Sequence, residues 1–270
     1  MTTIGLVHPG AMGGAVGDAA ISGGATVCWL PEGRGPASQA RAARFTAVDN
    51  LAGCDLVISV CPPAAALDVA RQVAESGFRG GYLEANAISP ARSRQIAELL
   101  RPNGIELADG GIVGPPPRKP GTTRLYLSGP AEPFRALFAD TVLAPIVLPG
   151  EAGQASALKL AFAAYNKISQ VLAAQAAALA EGYGVRSELL ELAAEVLPGT
   201  PIGRPEWLSS TGAKAWRWAP EIREIAVACA AVGLPSDLPE AAADILDRWA
   251  GHKDSDTVTL DDLTTALRQP

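Results

Sequence analysis

The chain has 270 residues and a mass of 27.7 kDa, which suits one large domain or two modest ones. Hydrophobic residues make up 48% of it, enough for a core, and this excludes a wholly disordered chain. A formal net charge of -6 and a pI near 5.1 argue against nucleic-acid and anionic-membrane partners, which require a basic surface.

The sequence also bears on compartment and metal content. Residues Met1–Gly5 show no basic segment followed by an apolar one, so we expect no secretory signal. No stretch reaches the roughly 18 uncharged apolar residues that a membrane-spanning helix needs. The four cysteines and two histidines lack the spacing of a zinc site or a disulfide framework. We therefore expect a cytoplasmic protein without a metal.

The first half of the chain alternates short apolar, β-branched runs with alanine-rich stretches. The runs predict strands at Thr3–Val7, Ala25–Leu30, Asp55–Val60, Tyr82–Ala85 and Ile105–Ala108. Helices are predicted at Ala15–Ile21, Ala64–Glu75 and Arg92–Leu100, and two further strands at Thr123–Ser128 and Ala144–Leu148. Apolar strands separated by helices indicate an α/β fold with a doubly wound parallel sheet of the Rossmann type.

The second half of the chain is predicted to be helical. From Gln154 to Gly182 the sequence is rich in Ala and Leu and contains no internal Pro or Gly, which predicts a helix of roughly 40 Å. Further helices are predicted at Arg217–Val232 and Leu238–Trp249. These patterns predict a nucleotide-binding domain over residues 1–149 and an all-α substrate and dimerisation domain over residues 150–270.

A glycine turn joins the first strand to the first helix, with the sequence His8, Pro9, Gly10, Ala11, Met12 and Gly13. Gly10 would let the backbone approach a pyrophosphate, and Gly13 would let the helix pack close to the strand. The helix N-terminus would supply free N–H groups to the phosphates. His8 stands where the dinucleotide fingerprint has its first glycine, and the alternative is a tight turn without a ligand.

The end of the second strand bears on the choice between NADP and NAD. An acidic residue there favours the free 2′-hydroxyl of NAD, whereas an arginine suits the 2′-phosphate of NADP. The chain offers both, as Glu32 and Arg34. We expect Arg34 to bind NADP and NAD to be the less favoured cofactor; the alternative is an exposed loop arginine.

A lysine in the long apolar helix is the candidate proton donor. Lys159 shares one helix face with Asn166 and Gln170, because these residues follow it by seven and eleven positions. That face is either an exposed polar stripe or part of a catalytic cleft. In a cleft, Lys159 could protonate a carbonyl oxygen as hydride arrives.

Several motifs together resemble the β-hydroxyacid dehydrogenase superfamily, which includes 3-hydroxyisobutyrate and 6-phosphogluconate dehydrogenases. They are the glycine turn and the segments Val60–Pro63, Glu84–Pro90, Asp109–Gly114 and Gly150–Lys159. Imine reductases share this fold. The resemblance covers nearly the whole chain and implies an NAD(P)-dependent dehydrogenase or reductase that transfers hydride between nicotinamide and a small carbonyl or hydroxy compound.

The resemblance also implies roles for individual residues. Lys159 matches the catalytic lysine and Asn86 lies beside the nicotinamide, whereas further polar help would have to come from Asn166 or another residue. The cofactor would also contact Cys61, Pro62 and Pro63, and the substrate would contact Val113, Gly114, Phe162 and Ala163 together with Lys159. Phe162 and Ala163 replace an asparagine pair of the family. Pro115–Pro117 replaces its carboxylate-binding loop, and proline has no N–H to offer a carboxylate.

Two alternative functions remain open at this stage. One is an imine reductase that acts on a C=N bond, for which the lysine would be dispensable. The other is a sensor that binds NADP without catalysis. In each case we expect a homodimer formed through the long helix, because a helix of that length cannot be buried within its own small domain, and the resemblance implies the same assembly.

Overall fold

The computed structural model describes residues 1–268, and the chain divides into two compact units. The first unit ends at Leu160 and the second begins at Ala161. This division falls inside the long helix, whereas the sequence predicted a boundary at residues 149–150. The physical reason is that the first turn of the helix is hydrogen-bonded to the sheet of the first unit, as described below.

The first unit is an eight-stranded sheet with the order β3-β2-β1-β4-β5-β6-β7-β8. The strands are β1 (Thr3–Leu6), β2 (Thr26–Trp29), β3 (Thr46–Ala47), β4 (Leu56–Ser59), β5 (Gly81–Glu84), β6 (Glu106–Val113), β7 (Thr123–Ser128) and β8 (Leu143–Val147). The helices between them are α1 (Ala11–Ser22), α2 (Pro36–Arg41), α3 (Ala66–Glu75), α4 (Pro90–Leu100) and α5 (Glu132–Phe138). The predicted Rossmann fold is confirmed.

One strand pair departs from the predicted parallel arrangement. β7 runs antiparallel to β6, whereas the other neighbouring strands are parallel. The connection between β6 and β7 is the loop of residues 114–122, which contains no helix. Antiparallel strands can be joined by such a loop, whereas a parallel pair needs a longer crossover, usually through a helix.

The core of the first unit consists of two apolar layers, one on each face of the sheet. The strand period of two assigns successive residues to opposite layers. On β4, for example, Leu56 and Ile58 belong to the layer that includes Val16 of α1, whereas Val57 belongs to the layer that includes Ile96 of α4. Because both faces are covered, the central strands are apolar throughout.

The described part of the second unit is helical. Its helices are the remainder of α6 (Gln154–Gly182), then α7 (Arg186–Val196), α8 (Glu206–Ala231), α9 (Asp237–Arg248) and α10 (Leu260–Arg268). The predicted all-α character and the bounds of α6 are confirmed. Helix α8 begins at Glu206, well before the predicted Arg217, and continues through Pro220.

Two features are absent from residues 1–268, a membrane-spanning helix and a cluster of metal-binding side chains. No helix in that range combines the length and the apolar character needed to cross a bilayer. The same residues contain no cluster of three or more His, Cys, Asp or Glu side chains placed to hold a metal ion. The four cysteines are free. A cytoplasmic location stays a prediction.

Candidate active site

The glycine turn brings the start of α1 against the end of β1. A Cβ atom added to Gly13 would lie 2.1 Å from the backbone oxygen of His8, so the helix can pack this closely only with glycine at this position. Gly10 is different, because a Cβ added there would meet nothing nearer than the His8 ring at 3.5 Å. Packing within the protein explains why residue 13 is glycine, but it does not explain why residue 10 is.

The first turn of α1 has donors to offer a ligand. Helix α1 begins at Ala11, and its N-cap is Gly10, which has no side chain with which to accept from the free N–H groups. The open space beside Gly10 and these N–H groups together form a cradle of the kind that binds phosphate. The side chain of Arg41 packs beside this helix end, 3.2 Å from where a Cβ of Gly14 would lie.

Arg34 extends from the loop after β2 to the glycine turn. Its Nη1 lies 2.5 Å from Nδ1 of His8, and its Nη2 donates to the backbone oxygen of Val7 at 3.2 Å. Burial and the nearby Arg34 guanidinium both lower the pKa of His8, so the imidazole is neutral at pH 7 and accepts at Nδ1. Its Nε2 then carries the proton and can donate to a ligand. The buried Nε of Arg34 has no hydrogen-bond partner among the described residues.

A second turn, after β4, is held by Asn86. The Asn86 side-chain oxygen accepts from the backbone N–H of Cys61, and its Nδ2 donates to Oγ of Ser59 at 3.0 Å. Asn86 is buried, and its own backbone N–H donates to Oε1 of Glu84 at 2.9 Å. Both ends of the side-chain amide therefore bind protein groups. In the structure, Asn86 stabilises the turn at Cys61. Its direct contact with nicotinamide stays a prediction.

The same region contains three ionisable groups whose pKa values are raised by burial. Glu84 is fully buried, and burial raises its pKa to about 8. Burial also raises the pKa of Tyr82, two residues earlier on the same face of β5. The Cys61 thiol has its pKa raised to about 11, chiefly by burial, so it is protonated and unreactive at pH 7.

The start of α6 is bound to the sheet by a buried carboxylate. Oδ2 of Asp109, on β6, accepts from the backbone N–H of Ser156 at 2.8 Å, and Oδ1 accepts from the Ser156 hydroxyl and, at 2.8 Å, from Ser93. The hydroxyl of Ser128, the register partner of Asp109 on β7, donates to Oδ2 and accepts from the backbone N–H of Ala155. These acceptors cap the helix, since the preceding residue is a glycine.

Lys159 follows one turn after this cap and lies against Gly111 of β6. A Cβ added to Gly111 would lie 2.7 Å from the backbone oxygen of Ala155 and 3.2 Å from Cβ of Lys159. Glycine at this position therefore lets the helix approach the strand and sets where the lysine side chain begins. Lys159 is partly buried, and its ammonium group lowers the pKa of Glu84. The structure thus brings Lys159, Glu84 and Asp109 together.

The other predicted site residues have these positions. Pro9 is buried, Ala11 and Pro62 are exposed, and Met12 and Pro63 are partly buried in the turns after β1 and β4. Val113 ends β6 and is partly buried; Gly114 is exposed with φ of +124°, a conformation that favours glycine. In the second unit, Ala163 is buried, whereas Phe162 and Asn166 are exposed. Sequence reasoning assigned no role to Glu84, to the carboxylate of Asp109 or to the contact of Arg34 with His8.

Comparison with known proteins supports the resemblance to the β-hydroxyacid dehydrogenase superfamily. Residues 180–249 match a family described as a domain of unknown function, DUF1932. An uncharacterised 28.5 kDa protein of Methanothermus fervidus is 30% identical over 149 residues, and the match spans only 56% of that protein and 54% of this chain. A solved protein of unknown function, described as structurally similar to 3-hydroxyacid dehydrogenases, is 26% identical with a TM-score of 0.72, over 93% of this chain and 97% of that one.

Two solved enzymes extend the comparison. The 3-hydroxyisobutyrate dehydrogenase of Mycobacterium tuberculosis, solved with L-serine, is 20% identical with a TM-score of 0.73 over 100% of both chains. This chain has the β-hydroxyacid dehydrogenase fold. The reductive aminase of Aspergillus terreus, solved with NADPH and ethyl levulinate, is 19% identical with a TM-score of 0.56 over 99% of this chain and 100% of that one. The predicted resemblance to the superfamily is confirmed, and imine reductases share the fold.

Proposed function

We propose that this protein is an NADP-dependent oxidoreductase that transfers hydride between nicotinamide and a small carbonyl or hydroxy compound. The observation that carries the proposal is the position of Lys159, which is held against β6 by the buried Asp109–Ser156 cap and by close packing at Gly111. The glycine turn after β1 and the Cys61 turn after β4 lie at the carboxyl ends of parallel strands of the same sheet. Ligands of open α/β sheets bind at that edge.

The residues of the first unit fit the parts of NADP. The uncapped first turn of α1 and the open space at Gly10 suit a pyrophosphate. Arg34 lies between the end of β2 and the glycine turn, and its half-buried guanidinium suits the 2′-phosphate. The turn of Cys61, Pro62 and Pro63, which Asn86 shapes, would flank the nicotinamide. When bound, NADP supplies or accepts the hydride.

Lys159 would move the proton that accompanies this chemistry. In reduction its ammonium group donates a proton to the carbonyl oxygen, and in oxidation the neutral amine takes a proton from the hydroxyl. An oxygen that becomes negative as hydride arrives needs such a donor, whereas an iminium carbon does not. The partly buried lysine therefore favours a C=O substrate over a C=N substrate.

Imine reduction is the second candidate, and one feature favours it. Pro115–Pro117 offers no backbone N–H with which to bind a carboxylate, which favours a substrate less acidic than a hydroxy acid. NADPH oxidation should be measured with ketoacids, aldehydes and cyclic imines in parallel. Turnover of ketoacids or aldehydes supports the first proposal and turnover of imines the second. Thermal stabilisation by NADPH without turnover of any of them would indicate a non-catalytic sensor.

Arg34 should decide the preference between the two cofactors. We expect Arg34→Ala to lower the ratio of NADPH to NADH affinity about 10- to 100-fold, because a hydrogen bond to a charged group contributes about 1.5–3 kcal/mol. Dissociation constants for both cofactors, measured by calorimetry, check this. The matched control is Arg44→Ala, which removes an exposed arginine paired with Asp18 of α1 and should leave the ratio unchanged. Equal affinities of the unmutated protein for NADPH and NADH would contradict the proposal.

We further propose a homodimer formed through α6 and α7. These helices carry large apolar side chains that are more than half exposed, which is unusual for a surface that meets water. They are Leu172 and Leu179 on α6 and Leu192 on α7, and Tyr183 in the turn between the two helices is exposed in the same way. A second copy of the chain would bury them.

Light scattering at micromolar concentration should therefore give the mass of a dimer. Leu179→Glu should shift the mass to that of a monomer, because it places a charge in the buried face. Val232→Glu introduces the same change at an exposed apolar residue just after α8 and should leave the dimer intact. A monomeric mass for the unmutated protein would refute the assembly.

A further inference from the structure

Glu84 is a buried carboxyl group that the reaction outlined above does not use. It is the last residue of β5, and its register partner on the neighbouring strand β6 is Asp109. Partners in a parallel pair point to the same face of the sheet, so Glu84 lies on the face that receives the first turns of α6. That face is where Lys159 approaches Gly111.

The carboxyl group of Glu84 is only partly satisfied by hydrogen bonds. Oε1 accepts from the backbone N–H of Asn86, whereas buried Oε2 has no partner among residues 1–268. The hydroxyl of Tyr82, on the same face of β5, is also buried and without a partner in that range. A buried acceptor without a partner is costly, so a structural role alone does not explain why a carboxyl group occupies this position.

Two charged groups act on the carboxyl group of Glu84, one from β6 and one from α6. Asp109 on β6 disfavours its carboxylate form, as burial does, and the ammonium group of Lys159 on α6 favours it. Tyr82 on β5 and Cys61 after β4 are protonated neighbours. Lys159 is therefore the cation among these groups. Interaction between two titrating sites is reciprocal, so the Glu84 carboxylate must favour the ammonium form of Lys159 to the same degree.

We propose that Glu84 is a positioning residue that acts through Lys159, holding the lysine in the ammonium form that a proton donor requires. This inference rests on the proposed function for its catalytic meaning. Burial raises the pKa of Glu84 to about 8, so its carboxylate form becomes populated as the pH rises above neutrality. Once ionised, Glu84 favours the ammonium form of Lys159, and reduction should persist to higher pH than in a protein without this carboxyl group.

The test follows the protonation of Lys159 directly, without a substrate. Trace acetylation of the full-length protein over a series of pH values, read by mass spectrometry, gives the pH at which Lys159 is half reactive. In Glu84→Gln we expect this midpoint to fall by about 1 pH unit, which is about a tenfold change in the unprotonated fraction. Exposed Lys119, read in the same samples, should keep its midpoint. An unchanged Lys159 midpoint overturns the proposal.

Two further variants separate electrostatics from disruption of the fold. Glu106→Gln makes the same substitution at an exposed residue at the start of β6 and should leave the Lys159 midpoint unchanged. Glu84→Asp keeps the charge and should restore most of the midpoint. If Glu84→Gln fails to fold, the reciprocal measurement decides. In Lys159→Met the pKa of the Glu84 carboxyl, read by NMR titration, should rise, and an unchanged pKa overturns the proposal.

The pH dependence of the reduction rate then tests whether the effect of Glu84 on Lys159 matters for catalysis. In Glu84→Gln the alkaline limb of the reduction rate should move to lower pH by the same amount as the labelling midpoint. If the midpoint moves while no carbonyl substrate is turned over by the unmutated protein, the charge coupling stands and the proposed function fails. If both midpoint and pH profile stay fixed while turnover is normal, the proposed function stands and the role of Glu84 is refuted.

Discussion

Replacement of Lys159 by methionine should lower kcat by about 10²- to 10⁴-fold, the range that general acid–base catalysis contributes. Methionine keeps an unbranched apolar side chain of similar length, so the close packing of the helix at Gly111 should survive. The dissociation constant for NADPH should hardly change, because the phosphate cradle lies at the glycine turn and not at α6. Steady-state kinetics and calorimetry on the same preparation check both halves of this expectation.

Two controls sharpen the Lys159 prediction. Lys159→Arg should not restore activity, since a guanidinium stays protonated and cannot act as a point donor that gives up its proton. Lys119→Met changes an exposed loop lysine and should leave kcat at the parent value. If Lys159→Met turns over a carbonyl substrate at the parent rate, the lysine belongs to the exposed polar face of its helix and the proposed proton transfer is wrong.

The parts of the fold predicted from sequence are those with a strong local signal. The bounds of α6 follow from a long stretch of helix-forming residues ended by glycine, and the predicted bounds agree with the structure. The central strands were located because both of their faces are buried and their residues are apolar throughout. β3 and α2 were missed, because two exposed strand residues and one short helix without a buried side chain leave no hydrophobic period to read.

The candidate site was predicted where one residue carries the chemistry and missed where the chemistry depends on packing. The glycine turn and Lys159 have recognisable neighbours in the sequence. The electrostatic interaction between Glu84 and Lys159 joins residues far apart in the chain, and it arises because β5, β6 and the start of α6 pack together. A glutamate at the end of an apolar strand is a usable signal, since a charged residue in such a place is rarely buried without a function.

Substitution of Asp109 tests how the start of α6, and with it Lys159, is held against the sheet. Its carboxylate is completely buried and accepts four hydrogen bonds, from the hydroxyls of Ser93, Ser128 and Ser156 and from the backbone N–H of Ser156. Asp109→Ala would leave these donors facing a cavity. We expect a loss of about 3–5 kcal/mol in the free energy of unfolding, because each buried donor left unsatisfied costs about 1–3 kcal/mol and hydroxyls can partly reorient.

Urea denaturation of Asp109→Ala measures this loss, and Ser93→Ala is the matched control. Ser93→Ala removes one of the four donors and leaves the helix cap in place, so it should cost only about 1–2 kcal/mol. Native-state hydrogen exchange adds the local test, because the Ser156 amide should lose most of its protection in Asp109→Ala and little in Ser93→Ala. An Asp109→Ala protein no less stable than Ser93→Ala would show that the carboxylate does not anchor α6. The position of Lys159 would then depend on the fit of the helix against Gly111 alone, and Gly111→Ala, which forces a Cβ to within 2.7 Å of the Ala155 oxygen, would become the variant that displaces the lysine.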